Sequence, residues 1–232
     1  MEHPLLSLHE VTKTRGSFAL LRDIDMTVSA GEISAVIGPE ASGKSTLLQL
    51  IAGLIRPKSG EIAILGNAPT TYAARASVAY APDVSALPTH LTITELIKLY
   101  EAMFADFDRD HASLLFSELR VKTDKRIGAM SRSTRELVQL ILTLSRRAHL
   151  YLLDNPLFGS PAAKEFALRL IREAKREDAA ILITAEEPSD VEAVADTFFF
   201  LSEGRVILSG NVNTYRTESR GTLTEEYRRM LS

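Results

Sequence analysis

The sequence predicts an α/β fold built on a parallel sheet, with an N-terminal antiparallel β subdomain and an inserted helical subdomain. Three observations predict it. Residues 33–37 form a short apolar run that leads into a glycine-framed loop and then an amphipathic pattern, and Gly38, Gly43, Lys44 and Ser45 match G-x-x-x-x-G-K-[ST]. A second uninterrupted apolar run, Leu150–Leu153, ends in Asp154, as a strand does in a parallel sheet covered on both faces. Between them, residues 82–145 carry helical rather than alternating periodicity. The chain of 232 residues therefore reads as one domain with a P-loop NTPase core. Residues 1–81 and 146–232 would form the core with its β subdomain, and residues 82–145 the helical subdomain.

Taken in order, residues 5–11 and 18–28 read as strands, and Gly31-Glu32 as a tight turn into the strand before the loop. Leu47, Leu48, Ile51, Leu54 and Ile55 recur at helical spacing, and Arg56-Pro57-Lys58-Ser59-Gly60 stops that helix. Residues 61–65 and 76–80 are expected to be strands, with a turn at Gly66-Asn67. Thr92 and Glu95 form a capping box for a helix through Leu96, Leu99 and Met103, and a second helix covers residues 111–119. Leu137, Leu140, Ile141 and Leu144 give the last helix of the block a buried face. Ser160 and Pro161 cap the next helix, with Phe166, Ala167, Leu170, Ile171 and Ala174 facing inward. Strands follow at residues 180–184 and around Phe198, Phe199 and Phe200, read as core packing; Gly204 marks a hairpin and Thr222-x-x-Glu225 a final short helix.

Composition narrows the function classes. The residues are 45% hydrophobic and 25% charged, with no cysteine, which leaves no disulfide framework and no thiolate metal site. A net charge of −3 predicts no nucleic-acid partner. No run approaches the roughly 18 to 20 apolar residues of a membrane span, and Met1-Glu2-His3-Pro4 lacks the basic-then-apolar pattern of a leader. His3, His9, His90, His111 and His149 are scattered, so no zinc site is expected.

The chemistry sits at the loop. Gly38, Ala41, Ser42, Gly43, Lys44, Ser45 and Thr46 are the candidate residues for binding phosphate, because glycine-framed backbone N–H groups and a helix N-terminus together bind such an anion. Lys44 would reach the β- and γ-phosphates and Ser45 would hold Mg²⁺. Asp154, at the carboxyl end of an apolar run, would hold the same ion through water.

These residues resemble the ATP-binding subunits of ABC transporters over nearly the whole chain. Gly38 to Thr46 is similar to GPNGAGKST, and Ile51-Ala52-Gly53-Leu54 through Gly60-Glu61-Ile62 is similar to the continuation that follows it. Tyr80-Ala-Pro-Asp83 falls at the Q-loop, Met130-Ser131-Arg132-Ser133-Thr134 at the LSGGQ signature, and Gly204-Arg205-Val206 at the final G-x-I. Phe104-Ala105-Asp106-Phe107-Asp108 resembles a segment of small exporter ATPases of the antibiotic-resistance and peptide-export type. The resemblance implies ATP and Mg²⁺ as cofactors, and as partners a transmembrane permease subunit and a second ATP-binding subunit in a homo- or heterodimer. It also implies a cytoplasmic location, peripheral on the inner face of the cell membrane. Ser131 and Ser133 would face the partner's nucleotide.

The departures gather at the γ-phosphate. Asn155 stands where the family carries a glutamate; an amide can orient water but accepts no proton at neutral pH, and losing a general base costs ~10²- to 10⁴-fold. Hydrolysis at this chain's own site is therefore expected to be weak or absent. Counting back from Asp196 puts Glu186 at the switch histidine position, and Asp83 replaces the Q-loop glutamine while remaining able to coordinate Mg²⁺. Glu40 replaces an uncharged loop residue and is read as pointing to solvent, and Gly159-Ser160-Pro161 replaces the D-loop's Leu-Asp. Each carboxylate facing a triphosphate at 4 Å repels it by about 1 kcal/mol in water and ~4 kcal/mol at an effective dielectric near 20. Arg15 replaces the adenine-stacking aromatic; its guanidinium plane can stack on a base, or it is an ordinary surface arginine. An ABC-like regulator or scaffold and a P-loop phosphotransferase are the alternatives, the latter disfavoured because no acceptor site is evident.

Overall fold

The computed structural model describes residues 4–157, 159–218 and 222–231, so Met1, Glu2 and His3 lie outside the described residues. Alternating burial makes β1 (Leu6–Arg15) and β2 (Phe18–Val28) a half-buried antiparallel pair. The first strand runs to Arg15, beyond the expected residue 11, because Lys13, Thr14 and Arg15 still find cross-strand partners in Leu21, Ala19 and Phe18. β3 (Ile33–Ile37) is buried throughout and delivers the glycine loop to α1 (Lys44–Ile51). That helix stops earlier than the pattern suggested. Gly53 adopts φ +68, the left-handed end that glycine takes most readily, and Leu54, expected on the buried face, is 63% exposed.

β4 (Ser59–Ile64) returns to pair with β1, giving a three-stranded sheet of order β2-β1-β4. A short helix not foreseen in the sequence, α2 (Tyr72–Ala76), is capped by Thr71 and precedes β5 (Val78–Ala81). The helical block follows: α3 (Ile93–Met103) with the Thr92–Glu95 capping box, α4 (Arg109–Glu118) capped by Asp108, and α5 (Arg132–Leu144) capped by Ser131. β6 (Leu150–Leu153), α6 (Pro161–Glu173), β7 (Ala180–Ala185), the single turn α7 (Pro188–Val191), β8 (Thr197–Ser202) and β9 (Arg205–Asn211) rebuild the sheet. α8 (Val212–Glu218) and α9 (Leu223–Leu231) close the chain. In α6, Ala167, Leu170 and Ile171 are buried, whereas Phe166 and Ala174 are only partly covered.

The main sheet has six strands in the order β5-β6-β7-β3-β8-β9, parallel except for the β8–β9 hairpin. Its strands alternate between two cores. Ile33, Ala35, Ile37, Tyr151, Leu153, Phe198 and Phe200 pack under α3 to α6, while Val36, Leu150, Leu152, Phe199 and Leu201 pack with α1 and the antiparallel sheet. The phenylalanine triplet is thus core on both faces. α3, α4 and α5 share the first of these cores with the sheet.

Arg146 ties the end of the helical block to the sheet edge. Only 6% exposed, it donates to both carboxylate oxygens of Asp106 at 3.0 Å and to the carbonyls of Val78 (2.7 Å) and Ala76 (3.0 Å), and it lies 4.1 Å from the Phe104 ring centroid. Breaking a buried ion pair by removing one partner costs about 3–5 kcal/mol. Arg146→Ala is expected near the low end, about 3 kcal/mol, because Asp106 keeps partial contact with solvent; urea denaturation reads this as a lowered midpoint at unchanged slope.

Candidate functional site

The glycine loop fits a narrow space between the two sheets. A Cβ on Gly38 would overlap the Leu201 carbonyl oxygen, and one on Gly43, at φ +110, would meet Leu21 Cδ2 at 2.8 Å and the Leu20 oxygen at 3.0 Å. Backbone bonds complete the clamp: Gly38 N–H donates to Ala185 at 3.1 Å, Gly204 N–H to Ser42 at 3.2 Å, and Arg22 N–H to Gly204 at 2.8 Å. Ala41 sits at φ +62, where a Cβ is disfavoured. α1 starts at Gly43 with no side-chain cap, so its first N–H groups point at the loop unclaimed by a capping side chain. Lys44 Nζ folds back onto the carbonyls of Gly38 (2.6 Å) and Pro39 (2.8 Å). Burial pushes its ammonium below the ordinary lysine range, against the upward pull of Glu186, Asp154, Glu40 and Asp83.

Around this loop lies a cleft of about 380 Å³ lined by Leu20, Glu40, Ala41, Gly43, Lys44, Ser45, Thr46, Asp83, Asp154, Asn155 and Glu186. Residues far apart in sequence meet here because β5, β6, β7 and β3 are parallel neighbours whose carboxyl ends open on one edge. Asp154 is 4% exposed, and Thr184 Oγ1 donates to it at 2.8 Å. Burial raises its carboxyl above the ordinary value; the Thr184 and Ser45 hydrogen bonds oppose this, the Asp83 charge adds to it, and Lys44 lowers it. Asn155, at φ +47, donates its backbone N–H to Thr184 Oγ1 at 2.8 Å and its Nδ2 to Asp83 Oδ1 at 3.2 Å. Glu40 is exposed yet lines the cleft, as does the exposed Glu186. Four carboxyl groups therefore face one ammonium among the described lining residues.

The remaining sequence-predicted residues lie outside this lining. Gly38 and Ser42 shape the loop from behind, and Ser42 Oγ is buried without a hydrogen-bond partner among the described residues. Ser131 caps α5 by accepting from Thr134 N–H at 3.2 Å, and Ser133 stands in the first turn of that helix against Gly159. Arg15 is exposed on β1 opposite Phe18, which is 67% exposed. Cross-strand partners share a sheet face, and Phe18 also shares a strand face with the cleft residue Leu20. Thr184 and Gln139, which hold Asp154 and the Asp83 loop, carried no local signal at all.

For a divalent cation, Ser45, Asp83 and Asp154 are the residues that could hold it. No group of three or more acidic, His or Cys residues is arranged to hold a metal alone among the described residues. That donor set fits Mg²⁺, which takes a hydroxyl and one or two carboxylates and fills the rest of its octahedron with phosphate oxygens and water.

Comparison with known proteins agrees with this geometry. A family model described as ABC transporter matches residues 21–158. Nod factor export ATP-binding protein I of Rhizobium meliloti is 27% identical over 224 residues, spanning 93% of this chain and 67% of that protein. The probable branched-chain amino acid transport ATP-binding protein LivF of Archaeoglobus fulgidus is 30% identical over 205 residues, spanning 84% and 86% respectively. A solved structure described as an ATP-binding subunit of an ABC transporter superposes with a TM-score of 0.89 at 26% identity, covering 98% of this chain and 100% of its own.

Two outcomes test the strain stored here. Ala41→Gly should stabilise the chain by about 1 kcal/mol, the cost of a left-handed non-glycine residue, read as an upward shift in denaturation midpoint. Because the folded Asp154 carboxyl titrates above the unfolded value of 3.8, the fold loses stability as pH rises through that interval and carries the whole penalty above it. Asp154→Asn should therefore raise the melting temperature of the nucleotide-free chain at pH 7, and the gain should vanish as pH falls below about 3.8.

Proposed function

We propose, from the premise that this chain belongs to the ABC transporter family as an ATP-binding subunit, that it binds ATP with Mg²⁺ in the Lys44 cleft and hydrolyses it weakly or not at all at its own site. It acts as one half of a pair of ATP-binding subunits docked on a transmembrane permease. On this reading the chain is a cytoplasmic subunit, peripheral on the inner face of the membrane; no helix among the described residues is long and apolar enough to cross one. It is a single ABC-type domain with residues 1–81 and 146–232 as nucleotide-binding core and residues 82–145 as helical subdomain. The exporter type rests on residues 104–108 alone, and in the fold Phe104 and Asp106 from that segment anchor Arg146.

The observation that carries the reading is the Asn155–Asp83 hydrogen bond at 3.2 Å beside Lys44. The loop, its lysine and the following helix supply phosphate binding. Asn155 offers an amide where a water would be activated, and one of its two amide N–H donors is already committed to Asp83. The metal would neutralise phosphate charge in a cleft that is otherwise rich in carboxyl groups, so binding of ATP depends on Mg²⁺. Lys44 and the N–H groups at the start of α1 would bind and orient the phosphates; Ser45 and Asp154, the latter fixed by Thr184, would hold the ion, which would offset phosphate charge.

Calorimetry and phosphate release on the isolated chain test this. ATP should bind in Mg²⁺, more weakly in a chelator and not to Lys44→Ala, with negligible turnover in every case. Asn155→Glu should raise turnover, but a second carboxylate would then face Asp83 from a left-handed backbone position. The paired change Asp83→Asn with Asn155→Glu should therefore raise it further, toward the ~10²- to 10⁴-fold worth of a general base. Robust turnover by the unmodified chain would overturn the weak-hydrolysis reading while leaving ATP binding intact.

A further inference from the structure

The loop that brings Asp83 into the cleft is held in place by a side chain from the helical block. Gln139, in the third turn of α5 and 5% exposed, donates Nε2 to the Pro82 carbonyl at 2.8 Å and accepts from Ala86 N–H at 3.0 Å through Oε1. These two bonds bracket Asp83. Among the described residues they are the hydrogen bonds that join the backbone of residues 82–86 to another part of the chain. A buried amide with both ends engaged is costly to disrupt, because its own polar atoms are shielded from water. Asp83 is thus fixed twice: its carboxylate by Asn155 and its backbone by Gln139.

We propose that Gln139 is a positioning residue of the nucleotide site, setting where Asp83 stands relative to a bound metal–nucleotide and so setting the Mg²⁺ dependence of ATP binding. The inference rests on the ATP-binding reading of the cleft and adds to it a residue outside the lining. It also joins the site to α5. Gln139 lies eight positions (139 − 131) beyond the Ser131 cap, roughly 12 Å along the helix axis, so a displacement of that exposed helix end reaches Asp83 through one amide.

The test uses the full chain with ATP titrated in Mg²⁺ and in a chelator, each variant first checked for a cooperative melt. Gln139→Met keeps the volume and loses both bonds; Gln139→Glu keeps the acceptor for Ala86 and loses the donor to Pro82. Gln139→Met should leave affinity in the chelator within about twofold and weaken Mg²⁺-dependent binding about tenfold, the equivalent of about 1.4 kcal/mol. It should also speed hydrogen exchange at the Ala86 amide. Gln139→Glu should fall between it and the unmodified chain, and carries the comparison alone if the methionine variant does not fold. In an Asp83→Asn background, Gln139→Met should cost nothing further in Mg²⁺-dependent binding, a non-additivity that a purely structural role does not produce. An unchanged Mg²⁺ enhancement in the position-139 variants, or full additivity with Asp83→Asn, overturns the proposal and leaves ATP binding standing. Absence of ATP binding by the unmodified chain overturns the nucleotide reading itself, and this inference with it.

Discussion

The fit of the glycine loop between the two sheets is the constraint on which the rest of the site depends. Gly38 has no room for a Cβ beneath the Leu201 carbonyl, and Gly43 has none beside Leu20 and Leu21. Leu21 and Leu201 belong to the core that joins the antiparallel sheet to one face of the six-stranded sheet. The loop is therefore positioned by tertiary packing rather than by its own turn chemistry. β2 and the β8–β9 hairpin thus set the position of the anion-binding N–H groups, and Phe199 shares the core that holds Leu21 and Leu201.

Charge is the second determinant. A loop and a lysine built for phosphate are surrounded by Glu40, Asp83, Asp154 and Glu186, and the surplus of carboxyl groups opposes an uncomplexed triphosphate. Asn155 and Asp83 are also a pair. An amide stands at 155 and a carboxylate at 83, and the two side chains hydrogen-bond to each other. The two side chains are physically coupled, so neither position can be interpreted alone.

What was legible in the sequence was whatever a local pattern encodes. The strand before the loop, the helix opened by Lys44, the Leu150–Leu153 run, the Thr92–Glu95 box and the Ser160–Pro161 start all follow from spacing and capping, and the structure contains each of them. Errors fell where a local rule met competition. Leu54 kept helical spacing, but Gly53 had already turned the chain, so the leucine faces solvent. Thr184, Gln139 and Arg146 act through partners between 30 and 70 residues away, and no window of sequence contains both members of such a bond. Phe104 and Asp106 are a further case: they come from a stretch that resembles a subfamily segment, and their contact with Arg146 was not legible there.

Strain and satisfaction are distributed unevenly in a way that separates framework from site. Arg146, Tyr151 and Gln139 are buried polar groups with their hydrogen bonds made, and each binds one element to another. In the cleft the balance is reversed. Ala41 and Asn155 occupy left-handed backbone, Asp154 is held ionisable in a buried position that raises its pKa, and Lys44 is desolvated and turned onto loop carbonyls. Groups in such states bind a charged ligand well because the fold has already met the cost of ordering and desolvating them. The same preorganisation that sets the cleft apart from the framework suits it to a charged nucleotide, and the Asn155–Asp83 bond sits within it.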